Sequence, residues 1–343
     1  MEPQEKNPYE KCVYVSDLRI GAMPEGATGE IRDWFLLTRM DLRTNPRGTS
    51  LVLAFADKTG EIPGIWWDAD FTSTAARVGD VCRVRAIIGE FNAKPQLNVN
   101  AIWKPPPAGL VRAPGPEYFF KASKHDPEEM YEAICGIARG STTGGIQLLL
   151  DAVLAAAEMR PRLLRAPAAK TYHHAYLSGL LEHILSLMQA ALALREHYPF
   201  DLPIVLAACV LHDIGKCWEL DWERGTRYSV IGTLHGHVCI GFSLVDRLCD
   251  QLEVDPAVHR HLLHLIASHH GLKENGAPVE PATREALIFH TLDKLDANLA
   301  ALDAALDAPG NEDPDWTPYI PALKARYLKP DRKGDDDERN DTD

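Results

Sequence analysis

No run in this chain reaches the roughly 18 to 20 consecutive apolar residues of a membrane-spanning helix, so no membrane association is expected. The opening residues Met1-Glu2-Pro3-Gln4-Glu5-Lys6 lack the apolar core of a secretory leader. Seven cysteines are scattered without a C-x-x-C pair, which reads as reduced thiols and predicts a cytoplasmic protein. The absence of H-x-x-x-H and H-E-x-x-H patterns excludes zinc fingers and zincin-type proteases. Positive charge is also scarce. A net charge of −13 excludes a protein coated for tight non-specific duplex binding. The deficit is uneven: charges nearly balance over residues 1–110, and part of the excess acid sits in the tail, where Asp335-Asp336-Asp337-Glu338 predicts a solvated, disordered end.

What is present divides the 343 residues into two modules. From Gly29 to Trp103 the pattern is strand-like. Ile31–Met40 carries β-formers and aromatics, and Ser50–Ala56 is apolar throughout. Asp57-Lys58-Thr59-Gly60 is a tight-turn signal leading into Glu61–Trp67. Asp80–Gly89 and Gln96–Trp103 alternate with period two. Five strands in so short a span predict a small closed barrel such as an OB-fold, over residues 1–103. Such barrels bind single strands by stacking bases on aromatics beside a modest basic groove. Trp34, Phe35, Trp66, Trp67 and Phe91 are the aromatic candidates, with Arg39, Arg43, Arg47 and Lys94 nearby. Trp34, Trp66, Arg39 and Arg43 are taken as the strand-binding set. Adjacent aromatics on a strand face opposite ways, so only one of Trp66 and Trp67 can enter the core.

Lys104-Pro105-Pro106-Pro107-Ala108-Gly109 and Pro114-Gly115-Pro116 predict an extended connector over 104–124. Beyond it, over 125–328, the periodicity is helical: Pro127–Ala138, Ile146–Met159, Tyr172–Tyr198, Pro203–Leu211, Leu234–Leu252, Pro256–His269, Thr283–Leu306 and a short Tyr319–Tyr327. Short extended pieces are expected near Trp218–Val230, and residues 329–343 form the acidic tail.

Thirteen of the 14 histidines fall between His173 and His290. His183 lies among leucines. The apolar run Ile204–Leu211 closes on His212-Asp213, then Gly215 and Lys216. His237 follows Gly236, His269-His270 ends another apolar run, and Asp293 ends a third. Imidazoles and carboxylates on buried faces need partners to offset lost solvation. One alone is commonly a hydrogen-bonded core residue; this many on separate helices predict a shared metal. Neutral imidazoles with a few carboxylates suit Mn first, with Co, Fe or Zn as alternatives, rather than Ca or Mg. Asp296 competes with Asp293 as a ligand. Asp293 is preferred because it closes the apolar run, with Asp296 read as a surface partner of Lys294.

His183, His212-Asp213 and Asp293 resemble the H…HD…D signature of the HD-domain metal-dependent phosphohydrolases, and His237 with His269-His270 resembles the longer pattern of the two-metal members. A β-barrel followed by a helical domain carrying Tyr172-His173-His174 through His183 is similar to the YhaM-type 3′–5′ exoribonucleases, over about residues 26 to 328. The resemblance implies a first metal site of His183, His212, Asp213 and Asp293. Asp213 would bridge to a second ion held by His237, His269 and His270. Lys216 would meet the substrate phosphate, with Asp213 and Lys216 as the catalytic pair and His173 and His174 contacting the terminal nucleotide. Single-stranded RNA, possibly DNA, is the implied substrate, and a homo-oligomer is possible. Two alternatives stay open: a phosphodiesterase for small or cyclic nucleotides, disfavoured in its cyclic-dinucleotide form by the lack of Gly-Tyr-Pro after His270, and a nucleic-acid-binding adaptor with an inactive HD fold.

Overall fold

The computed structural model describes residues 11–18, 30–46, 48–104, 114–169, 174–221, 227–307 and 313–330. His173, Arg47, residues 105–113 of the connector and the acidic tail from 331 onward lie outside the described residues.

Five strands, β1 (Glu30–Asn45), β2 (Gly48–Asp57), β3 (Gly60–Trp67), β4 (Val81–Phe91) and β5 (Lys94–Trp103), close into a barrel in the order β1-β2-β3-β5-β4. Every neighbouring pair is antiparallel except β3–β5, which is parallel at Gly64↔Leu97. This is the arrangement of an OB-fold. Alternation places Phe35, Leu37, Leu51, Leu53, Phe55 and Leu97 inside, all fully buried. The 11–18 segment is bound to the barrel by two carboxylates. Asp33 accepts the Cys12 and Val13 N–H groups, and Asp57 accepts that of Val15.

Trp34 does not belong to an open strand-binding face. It points out of the barrel, yet only 3% of it is exposed, because Phe119 of the connector packs over Trp34 and Leu36. A ring so covered has no face on which to stack a base, which corrects its place among the substrate contacts. Of the neighbouring tryptophans, Trp66 packs partly buried against the barrel core, and Trp67 is 58% exposed. Arg39 lies on the surface paired with Asp41, Nε to Oδ2, at 2.5 Å.

The connector's second half is docked rather than free. The Lys58 N–H donates to the Tyr118 carbonyl. Leu177 N–H donates to Lys121 O, and Ser123 N–H donates to Leu177 O. Residues 118–123 therefore hold the β2–β3 hairpin and the helical domain together.

The helical domain comprises α1 (Pro127–Ser141), α2 (Gly144–Leu154), α3 (Met159–Leu163), α4 (Gly179–Arg195), α5 (Leu202–Leu211), α6 (Lys216–Glu219), α7 (Val230–Gln251), α8 (Pro256–Ser268) and α9 (Arg284–Leu306). A two-stranded ribbon, β6 (Leu220–Asp221) and β7 (Arg227–Tyr228), lies where extended pieces were expected. Asp126, Asp201 and Asp255 cap α1, α5 and α8 through their side chains, each ahead of a proline in the first turn. Helix α5 is apolar on all sides, and α2, α4, α8 and α9 surround it.

Three helix boundaries differ from expectation. Helix α4 starts at Gly179, not Tyr172, because His174 and Ser178 adopt left-handed φ values of 47° and 66° and the chain doubles back there. Residue 179 must be glycine, since a Cβ would lie 2.1 Å from the His174 carbonyl oxygen. The helix expected over Ile146–Met159 breaks into α2 and α3. Tyr319–Tyr327 is not helical but a turn closed by the bridge Ile320↔Ala325. Among the described residues no helix is long and apolar enough to cross a membrane, and all seven cysteines are free thiols.

Candidate metal centre

The buried helix α5 delivers His212 at its C-cap and Asp213 just beyond. Around this end converge His183 from α4, His237 from α7, His269 and His270 from the end of α8, and Asp293 from α9. Local backbone features aim these groups. Gly215 lets α7 approach closely, because a Cβ there would lie 2.1 Å from the His237 carbonyl oxygen. Gly236, at φ 68°, breaks α7 and turns the His237 N–H onto Glu219 Oε1 at 2.9 Å.

The geometry falls into two halves joined by one carboxylate. On one side His183 Nε2 lies 3.1 Å from Asp293 Oδ1, and His212 Nε2 lies 3.2 Å from Asp213 Oδ2 and 3.8 Å from Asp293 Oδ1. On the other, Asp213 Oδ1 faces His237 Nε2 at 3.3 Å and His269 Nε2 at 3.7 Å. Nitrogens of His237, His269 and His270 lie within 4.8 Å of one another, as do ligand atoms of His183, His212 and Asp213.

The donor set fits a divalent metal. Asp213 Oδ1 and the inward nitrogens His212 Nε2, His237 Nε2, His269 Nε2 and His270 Nδ1 are buried atoms that make no hydrogen bond. Leaving one such atom unpaired costs about 1–3 kcal/mol. Five such atoms clustered around Asp213 are what bound cations could satisfy. The far sides of the rings are fixed as ligating imidazoles require. His212 Nδ1 donates to the Ala208 carbonyl and His269 Nδ1 to that of Ile266, while His237 Nδ1 meets Glu219 Oε1.

Asp296 is not a surface partner of Lys294. One of its oxygens receives His183 Nδ1 at 2.6 Å and His174 Nε2 at 3.1 Å, and the other accepts the Ser186 hydroxyl. Asp293 thus faces the centre and Asp296 stands behind His183, orienting its ring. His174 is correspondingly not placed to meet a nucleotide. It is buried, with Nδ1 bonded to the Tyr176 hydroxyl and Nε2 to Asp296. Lys216 is not a free cation either: it is 8% exposed, and its ammonium is ion-paired with Asp213 Oδ2.

Electrostatics follow from this packing. Burial opposes ionisation of Asp213, but the adjacent His212 ring and Lys216 ammonium hold its carboxyl well below the usual range. Asp293 is likewise lowered against burial by the His183 hydrogen bond and the His212 ring. Burial pulls His269 and His270 down, keeping them as the neutral imidazoles that bind metals. His183 behaves oppositely: despite burial, hydrogen bonds to Asp293 and Asp296 push it up to about 9.

An HD-domain family model matches residues 180–298, the segment that supplies every residue of this cluster. The chain is 32% identical to the 3′-5′ exoribonuclease YhaM of Bacillus velezensis, over 82% of this chain and 88% of that protein. It is 30% identical to the proteins of the same description from Listeria welshimeri and Oceanobacillus iheyensis, in each case over 81% of this chain and 88% of the relative. The chain belongs to the YhaM family of HD-domain phosphodiester hydrolases. In this chain the barrel precedes the helical domain, the order expected from the sequence. Its HD domain implies a divalent ion, and the convergent imidazoles and carboxylates are groups that could hold one.

For two residues of the centre the sequence does not show the role. Glu219 ends a four-residue helix with no periodicity, and Asp296 is distinguished from Asp293 only by which way α9 faces. Replacing Asp296 by alanine should weaken divalent-metal binding by about 10- to 100-fold while leaving every inward side chain in place. Calorimetric titration checks this, and unchanged affinity would remove Asp296 from the positioning role.

Proposed function

We propose that this protein is a cytoplasmic metal-dependent 3′–5′ exoribonuclease that removes nucleotides one at a time from single-stranded RNA, with Mn²⁺ as the working ion. The convergence of unbonded imidazole nitrogens on Asp213 is the observation that carries this reading. His183, His212, Asp213 and Asp293 would hold one ion, and His237, His269 and His270 a second, with Asp213 shared between them. Divalent ions at such a site lower the pKa of water and stabilise charge building on phosphate oxygens.

The chain's own groups set the geometry. Asp213 presents one oxygen to each half. Asp296 fixes the His183 ring, and Glu219 fixes that of His237. His183 would serve as a ligand only as the neutral imidazole, so binding of a divalent ion would be accompanied by proton release. Lys216 keeps Asp213 ionised and balances the charge of the cluster.

The barrel supplies the strand-binding surface, at a different place from Trp34. Register aligns Arg43 with Ser50 and Ser50 with Trp67, so these three share the outer face of β1–β2–β3. Trp67, exposed two strands from Arg43 across the buried Ser50, is the stacking residue this face offers. Replacing it by alanine should weaken binding of single-stranded RNA by about 1–3 kcal/mol, measured by fluorescence anisotropy.

The reaction is tested with Mn²⁺-loaded protein and single-stranded RNA labelled at its 5′ end, beside a DNA strand of the same sequence. A ladder shortening from the 3′ end is expected. Hydrolysis confined to mononucleotides or cyclic nucleotides would replace this reading with that of a small-nucleotide phosphodiesterase. Binding without hydrolysis would leave an adaptor.

A further inference from the structure

Between the barrel and the helical domain lies a cavity of about 290 Å³, away from the imidazole cluster. Its walls come from four places: the β2–β3 turn Asp57–Gly60, connector residues 119–121, Pro167, and residues 175–177 just before α4. The chemistry of these walls is specific. Lys58 of the barrel and Lys121 of the connector both line it, both are exposed, and neither pairs with a carboxylate among the described residues. Lys58 Nζ stands 5.3 Å from the Tyr14 ring centroid and 5.8 Å from that of Tyr118. Phe120 and Tyr176 add aromatic surface. Asp57, the one carboxylate in the lining, is already neutralised by Lys11 at 3.1 Å and holds the Val15 N–H. The cavity is thus a positive, aromatic pocket in a protein of net charge −13.

We propose that this crease is a subsite for one internal nucleotide of the single strand, with Lys58 and Lys121 holding its phosphodiester and Phe120 and Tyr176 bordering the base. The proposal rests on the exoribonuclease reading. The volume matches the lower end of small-ligand pockets, about 300 Å³, enough for one nucleotide. Paired ammonium groups beside aromatic rings are the combination that recognises single-stranded backbone and base together. The position is also telling. The barrel provides one wall and the helical domain another, so a strand held here contacts both modules at once. The wall at 175–177 continues directly from His174, which is hydrogen-bonded to the carboxylate that orients His183.

The test is the salt dependence of binding, measured by anisotropy on the full-length chain in EDTA with a fluorescein-labelled 12-nucleotide RNA. Lys58→Ala and Lys121→Ala should each weaken binding by roughly 3- to 10-fold. Each should also reduce the slope of log affinity against log salt by about 0.7, the value for one phosphate contact on a single strand. Arg139→Ala, which removes one positive charge on α1, should stay within about twofold on the same charge argument. A double variant with wild-type affinity and slope would overturn the proposal. So would saturable binding of AMP or inorganic phosphate that is lost in the double variant while strand affinity persists, because the crease would then be a small-anion site. Failure of the wild-type chain to bind any RNA would overturn the exoribonuclease reading together with this one, and is distinguished by its appearance before any substitution is made.

Discussion

Replacing Asp213 by asparagine should lower RNA turnover by at least about 10³-fold, equivalent to about 4 kcal/mol of transition-state stabilisation. The size follows from position. Asp213 is the carboxylate that faces both His212 on one side and His237 and His269 on the other. The amide keeps the shape but loses the charge that faces both halves, so on the proposed two-ion reading both would weaken together. Asp293→Asn should differ in kind, because among the described residues the imidazoles within 4 Å of Asp293 are those of His183 and His212. In Mn²⁺ titration calorimetry the Asp213 variant should lose both binding events and the Asp293 variant one. Alanine at 213 is a poorer probe, since it strands the Lys216 ammonium, which is 8% exposed and ion-paired with Asp213. Turnover of the asparagine variant within tenfold of wild type would discard the shared-carboxylate centre.

The residues that could be read from sequence are those whose environment is local. The barrel strands follow from period-two alternation and the Asp57–Gly60 turn. Helix α5 and its His212-Asp213 terminus follow from an unbroken apolar run that closes on two ionisable groups. What was not legible depends on partners distant in the chain. Trp34 alternates outward as expected, but whether an outward ring meets solvent was decided by Phe119, 85 residues later and beyond a proline-rich stretch. Lys216, three residues past Asp213, looks free in one dimension, and helical spacing folds it back onto that carboxylate. Asp293 and Asp296 both project from α9 and differ by under one turn. Only the approach of α4 shows that one faces the centre and the other holds His183 and His174 from behind. Lys11 carries no pattern at all, yet it is among the most constrained charges in the barrel domain.

Replacing Lys11 by methionine should destabilise the barrel by about 3–5 kcal/mol, the range for breaking a buried ion pair from one side. The Lys11 and Asp57 side chains are both fully enclosed, with Nζ 3.1 Å from Oδ2. The same ammonium donates to the Val13 and Trp34 carbonyls and lies 3.9 Å above the Phe35 ring. Burial is the largest influence on it and pulls its pKa below the ordinary lysine value, while Asp57 and then Asp33 oppose that pull. The charge is therefore kept in the interior by its partner. Methionine fills the channel but leaves Asp57 to the Val15 and Thr59 donors alone. A loss of 3 kcal/mol corresponds to a fall of roughly 12–24 °C in the melting midpoint of a domain this size. Tryptophan fluorescence can follow it, because Trp34 sits beneath Phe119 and reports loss of the barrel–connector contact. Adding Asp57→Asn to Lys11→Met should recover part of the loss, since the amide needs no counter-charge; in a double-mutant cycle that recovery is the coupling of the pair. A loss below about 1 kcal/mol in the single variant would mean that water reaches Asp57 once the ammonium is gone, and that the 11–18 segment is held by the Asp33 hydrogen bonds instead.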